Sequence, residues 1–161
     1  GFLVNRALLP YIFKAIEAVA GGENADHIDE ALVDFGMPMG PIELADQIGL
    51  DVCLDAGIVL GIAPAAKTLL DEKVKAGTIG RKSGSGFYEW DGNQAIRARQ
   101  SQDPSVMAAI AENMLAPMIE ECQQAVDQQV VDSADSADAG MIFGIGFPGF
   151  RGGPLNWAGE Q

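Results

Sequence analysis

The sequence predicts an all-α protein built from a duplicated helical unit whose second copy is incomplete. Three observations predict it. Ala-rich segments alternate with capping residues and Gly/Pro stops, while β-branched alternation at period two is scarce. Hydrophobic residues make up 48% of the chain against a charged fraction of 20%, which supports a packed core and argues against disorder. A long internal repeat runs through the chain. Leu9-Pro10…Ala18-Val19 matches Ala116-Pro117…Ala125-Val126 at an offset of 107 positions, and Asp29…Gly36-Met-Pro38…Gly40-Pro41 matches Asp138…Gly146-Phe-Pro148…Gly153-Pro154. That period exceeds the ~20 to 50 residues of solenoid units, so the repeat is a duplicated domain. Residues 51 to 90 have no counterpart in the second copy.

The elements follow in order. A first helix is predicted over residues 3 to 20, stopped by Gly21-Gly22. Asp26 reads as the cap of a second helix reaching Phe35 and closed by Gly36. Pro41 suits the first position of a short third helix. Asp51 reads as the cap of a helix through Leu60, and Pro64 opens another through Lys75. Five glycines punctuate residues 77 to 93, where Phe87-Tyr88-Glu89-Trp90 has extended-chain propensity; this stretch is the expected junction between two units, residues 1–93 and 94–161. Asp103-Pro104-Ser105 opens a long helix to about Val126, and the residues from Asp132 to Ala137 cap a shorter one.

Composition also excludes functions. Acidic residues number 23 against 10 basic ones, a net charge of -13, which repels phosphate backbones and argues against nucleic acid as a partner. The one histidine, His27, rules out a His pair or a multi-imidazole metal site within this sequence. Cys53 and Cys122 form neither a CxxC nor a disulfide framework. No apolar run approaches the ~18 to 20 residues of a membrane span, and the first 20 residues lack the pattern of a signal peptide. A first residue of Gly rather than Met suggests a piece of a longer polypeptide.

Candidate site residues are few. On a helical wheel at about 100° per residue, Arg6, Lys14 and Glu17 form a polar stripe about 80° wide. Asn5 falls outside it, beside Leu9, Ile12 and Ile16. Either Asn5 is a buried amide that must be hydrogen-bonded, or the helix starts later and Asn5 caps it, as Pro10 would favour. His27 reads as a solvated helix-end histidine. Asp71-Glu72 and Glu120-Glu121 are neighbours on helices and diverge, so they are poor acid–base pairs. Arg81-Lys82, in a Gly-rich loop, offers a weak phosphate site. Met37 and Met39 read as flexible packing. Gly144-x-Gly146-x-x-Gly149 has the spacing of a dinucleotide loop, but the segment before it looks helical and Pro148 disfavours a helix after it, so a plain loop is expected.

Four segments together resemble one family. Gly1-Phe-Leu-Val-Asn-Arg6, Gly36-Met-Pro-Met-Gly-Pro-Ile-Glu-Leu-Ala-Asp46 and Gly80-Arg-Lys-Ser-Gly-Ser-Gly-Phe-Tyr88 are similar to hallmark stretches of the C-terminal domain of the L-3-hydroxyacyl-CoA dehydrogenases. Gly146-Phe-Pro-Gly-Phe-Arg-Gly-Gly-Pro-Leu155 resembles the second copy found in multifunctional fatty-acid oxidation enzymes of the α-subunit type. The resemblance implies a helical bundle of the 6-phosphogluconate dehydrogenase C-terminal-like type, with residues 1–93 one such domain and 94–161 part of a second. It implies that the intact enzyme transfers a hydride from C3 of an acyl-CoA substrate to NAD, using a His–Glu pair on an N-terminal Rossmann domain. That domain, the pair and the cofactor site are not in this sequence, and His27 is not in the catalytic motif. The 161 residues are therefore expected to bind no NAD and to be inactive alone. Asn5 corresponds to the asparagine that faces substrate in the family, and is expected to orient substrate and the catalytic imidazole. Arg81 and Lys82 are the local candidates for the CoA phosphates. A homo-oligomer in the bacterial cytoplasm, with an organelle matrix as the alternative, is further implied. Two other classes stand beside this reading: a purely structural module for subunit docking, and an acyl-carrier-like domain suggested by acidity and Asp132-Ser133. The Ala after Ser133 argues against the carrier.

Overall fold

Two long helices, each with a proline inside, form the axis of the computed structural model, which describes residues 2–161. They are α1 (Phe2–Ala20, containing Pro10) and, later in the chain, α6 (Pro104–Asp127, containing Pro117). Each proline deprives the carbonyl four residues earlier of its N–H partner, yet both helices run through. Burial of Tyr11, Ile12 and Ile16 on α1, and of Met114, Leu115 and Met118 on α6, outweighs the missing bonds. The expectation that Pro10 marks a helix start therefore fails.

Between them lie α2 (Ala25–Phe35), α3 (Pro41–Ile48), α4 (Leu50–Leu60) and α5 (Pro64–Lys75). Asn24, rather than Asp26, caps α2, its Oδ1 accepting from His27 N–H at 3.1 Å. Gly49 precedes α4, so Asp51 sits inside its first turn instead of capping it. Residues 77 to 100 hold a 3₁₀ turn at Arg81–Ser83 and one small hairpin, β1 (Trp90–Asp91) paired antiparallel with β2 (Gln94–Ala95). After α6 come α7 (Ala134–Ile145), capped by Ser133, a 3₁₀ turn at Gly149–Arg151, and α8 (Pro154–Gly159).

The matched sequence segments make matching contacts. In the first copy the Asp29 carboxylate, on α2, accepts from Ile42 N–H and Glu43 N–H at 2.8 Å each, capping α3. In the second copy Asp138, on α7, accepts from Leu155 N–H at 2.7 Å and Asn156 N–H at 3.1 Å, capping α8. A carboxylate at a helix N-terminus satisfies orphan donors and complements the helix dipole. The two copies also interlock reciprocally. A Cβ on Gly36 would lie 2.8 Å from Pro148 Cβ, and one on Gly146 would lie 2.9 Å from Pro38 Cγ. Both glycines adopt positive φ, 124° and 76°, so each helix ends in a turn that only glycine makes cheaply and that leaves room for the other copy's proline.

One hydrophobic core results, drawing on Ile12, Leu32 and Leu70 from the first copy and on Met118, Phe147 and Trp157 from the second. Phe35 packs edge-on against both Phe147 and Trp157, with ring centroids 5.6 and 5.0 Å away. Among the described residues no helix is long and apolar enough to cross a membrane, and no cluster of side chains could hold a metal ion.

Candidate functional site

The segments that carry the family resemblance divide into structural clamps and one open cleft. The clamp in the first copy is Asp46, on α3. Its carboxylate accepts from Phe87 N–H (2.9 Å), Tyr88 N–H (3.0 Å) and Trp90 Nε1–H (2.8 Å). Gly80 and Gly86 approach Asp46 so closely that a Cβ on either would run into it. Tyr88 then donates its hydroxyl to Asp29 at 2.6 Å. Burial pushes the Asp29 carboxyl up to about 7 and the Asp46 carboxyl above its ordinary value, against the pull of these donors. The glycine-rich loop is thus bolted to α3, and its glycines serve close packing.

A second clamp gave no sign in the sequence. Arg97, just beyond the hairpin, is almost fully buried, and its guanidinium meets Asp26 (3.0 Å), Glu30 (2.8 Å) and Glu43 (4.0 Å). Asp26 also accepts from Arg99 N–H and Gln100 N–H. Burial opposes the Asp26 charge, but these N–H groups and Arg97 outweigh it and hold the carboxyl below its ordinary value. A lone arginine in a polar stretch has no periodicity or motif, so only folding reveals its acidic partners. Arg151 plays a related part in the second copy: its Nε donates to Phe35 O at 2.8 Å and its guanidinium stacks over the Phe35 ring at 3.9 Å.

The cleft has a volume of 780 Å³ and lies where α1 and α6 cross, closed on one side by the turn from α4 to α5. Its walls are largely apolar: Phe2, Leu9, Pro10 and Phe13 from α1, Leu60, Ile62 and Ala63 from the turn, and Pro117 from α6. Asn5 stands in this cleft and is exposed. It shares a helix face with Ile12 and Ile16, but burial of that face begins at Ile12, and the first turn opens into the cleft. Neither expectation for Asn5 holds as stated, since it is neither a buried amide nor a cap; α1 already starts at Phe2. The polar stripe of Arg6, Lys14 and Glu17 forms the rim, joined by Glu121 of α6. A mostly apolar cavity of this size with a few convergent polar groups is the usual form of a small-molecule site.

Arg81 and Lys82 are not brought to it. Arg81 Nη1 donates to Asn93 Oδ1 at 2.9 Å, and Lys82 Nζ donates to Asp51 Oδ2 at 2.9 Å. Lys82 thereby sits at the start of α4, while the cleft is at its end, about 13 Å away along the helix axis. His27 lies on the outside of α2, its Nε2 at 3.1 Å from Gln102 Nε2. Burial pushes the thiols of Cys53 and Cys122 up to about 12, so neither is a nucleophile. The residues present do not fit a dinucleotide. Gly144 is inside α7, Gly146 ends that helix, and Gly149 starts a 3₁₀ turn, so the strand–loop–helix cradle is not formed there.

Comparison with solved structures first defines a class. The fold matches 3-hydroxybutyryl-CoA dehydrogenase from Escherichia coli K12 with a TM-score of 0.73 and 22% identity, over 99% of this chain and 52% of that one. It also matches the dehydrogenase part of multifunctional enzyme 1 from C. elegans, with a TM-score of 0.67 and 23% identity, over 91% of this chain and 36% of that one. These matches establish the helical fold. The family model for the 3-hydroxyacyl-CoA dehydrogenase C-terminal domain matches residues 1–90, and the chain belongs to that family. It is 37% identical to the fatty acid oxidation complex subunit alpha of Shewanella sp. (strain MR-7), across 98% of this chain and 25% of that relative's length.

Proposed function

We propose that the cleft is the part of an L-3-hydroxyacyl-CoA dehydrogenase substrate pocket that the helical domain contributes, with Asn5 as its polar contact. The observation that carries this is an exposed asparagine amide in the first turn of α1, aligned with the apolar walls of a 780 Å³ cleft. In this reading the walls take the apolar part of the acyl-CoA and exclude water from it. Asn5 donates from Nδ2 to a substrate oxygen, fixing it for the general base. The His–Glu pair and the site for NAD, which accepts the hydride, belong to a Rossmann domain elsewhere in the polypeptide. The 161 residues alone are then inactive. Residues 1–93 and 94–161 are two copies of one domain, the full-length protein is a cytoplasmic homo-oligomer, and Arg81 and Lys82 have no part in the cleft itself.

A pure association module is the second reading. Phe143 and Phe150, 88% and 78% exposed on the second copy, favour it. Asn5→Ala in the full-length polypeptide separates the two. The pocket reading predicts at least a tenfold fall in kcat for oxidation of an L-3-hydroxyacyl-CoA, at unchanged assembly mass. Full turnover with a changed assembly mass would favour the association module instead.

A further inference from the structure

We infer that Glu121, from the second copy, is a positioning residue for the cleft of the first, acting through Arg6 on Asn5; this rests on the proposed function of the cleft. Glu121 Oε2 accepts from Arg6 Nε at 2.9 Å, across 115 residues of chain, with side chains only 27% and 19% exposed. Half-buried at the rim of an apolar cleft, the pair is less screened by solvent than a surface bridge.

The turn it holds needs holding. The first N–H groups of a helix have no intrahelical partners. In α1, Pro10 also withdraws the N–H that would bond the Arg6 carbonyl. The turn carrying Asn5 and Arg6 therefore lacks backbone bonds that the middle of α1 has, and the bond from Arg6 to α6 holds it sideways. Anchoring through Nε leaves both Nη groups without a hydrogen-bond partner among the described residues.

The repeat supplies an internal control. The positions equivalent to Arg6 and Glu121 across the duplication are Asn113 and Lys14, which cannot form an ion pair. A bridge serving only to fasten the copies would be expected on both sides of their crossing. It occurs once, on the residue next to Asn5, although Lys14, the counterpart of Glu121, lines the same cleft. The second copy, which also contributes Pro117 to the cleft wall, is thereby part of the site rather than a passive neighbour.

The test is a double-mutant cycle in the full-length polypeptide with an L-3-hydroxyacyl-CoA and NAD+. Glu121→Gln preserves shape and removes the charge. It is expected to lower kcat about tenfold with KM changed much less and the thermal unfolding midpoint unchanged. In an Asn5→Ala background the same substitution is expected to have no further effect on kcat, because the group it positions is gone. Equal losses in both backgrounds would make Glu121 merely structural and overturn the inference. So would full turnover by Glu121→Gln while Asn5→Ala is impaired. Full turnover by Asn5→Ala itself would instead overturn the reading of the cleft.

Discussion

The two copies use the same device at Asp29 and Asp138, but only the first builds on it. Asp29 has a third donor, Tyr88, and is completely buried, whereas Asp138 has two backbone donors and remains 5% exposed. The first copy adds α4, α5 and the loop clamped by Asp46, and it is the turn between α4 and α5 that closes the cleft. On α1, Ile16 is fully buried; its counterpart on α6 is Gln123, which is exposed. The matched segments thus share one device, a carboxylate capping the helix that follows, while their faces differ with their surroundings. The cleft lies where α1 and α6 meet, and its lining joins the matched pair Pro10 and Pro117 to residues the repeat does not share, such as Asn5, Arg6 and Glu121.

Substitutions can break this contrast at several depths. The largest effect is expected at Asp46, which has no counterpart in the second copy. Asp46→Ala leaves three buried or half-buried donors unpaired and should destabilise the chain by about 3 to 5 kcal/mol in urea unfolding. Next comes the paired comparison. Asn at position 29 or 138 turns an amide N–H toward a backbone N–H. Asp29→Asn should cost about 2 to 3 kcal/mol and Asp138→Asn about 1 to 2, because the first is buried more deeply and has the Tyr88 hydroxyl as an additional donor to disturb. Equal costs would remove the distinction between the copies.

A pH series sharpens the same comparison. Because burial holds the folded Asp29 carboxyl near 7 while its ordinary value is 3.8, the native state keeps a proton that the unfolded chain loses. Its contribution to stability is present below pH 4 and is lost as pH rises to 7. Between pH 4 and 7.5, unfolding free energies of the wild type should therefore fall by ~1 kcal/mol or more relative to those of Asp29→Asn. The smallest effect is expected at Tyr11, whose hydroxyl is buried without a hydrogen-bond partner among the described residues and whose counterpart in the second copy is Met118. Tyr11→Phe should be neutral or stabilising by up to ~1 kcal/mol, as measured by thermal unfolding, since it removes an unpaired polar group.

Much of the framework was legible in the sequence because it rests on local chemistry. Gly36, Pro41, Pro64, Asp103 and Ser133 mark their helix boundaries through caps and fixed dihedrals, and the repeat pointed to the paired carboxylates. The loop expected over Gly144 to Gly149 is shorter than that: Gly144 lies inside α7 and Gly149 opens a 3₁₀ turn, because the helix before it runs on to its glycine stop at Gly146. Asn24 and Asp26 could not be told apart as caps, since both are good N-cap residues within one turn; the contact with Arg97, 71 residues away, decides it. Asn5 was picked out by its wheel position and family motif, but a wheel does not say where along a face the cover ends. Arg97 and Glu121 were illegible as a clamp and a cleft residue, because their partners come from distant segments.

The account depends most on the two copies forming a single body, so that α6 can shape a site on α1. The two tryptophans, Trp90 in the first copy and Trp157 in the second, report on this separately. Urea unfolding of Trp90→Phe and Trp157→Phe, followed by fluorescence of the remaining tryptophan and by far-ultraviolet circular dichroism, is the direct measurement. One cooperative transition is predicted, with each variant's fluorescence and dichroism midpoints coinciding. An earlier loss of Trp157 fluorescence, with the helical signal of the first copy intact, would contradict it.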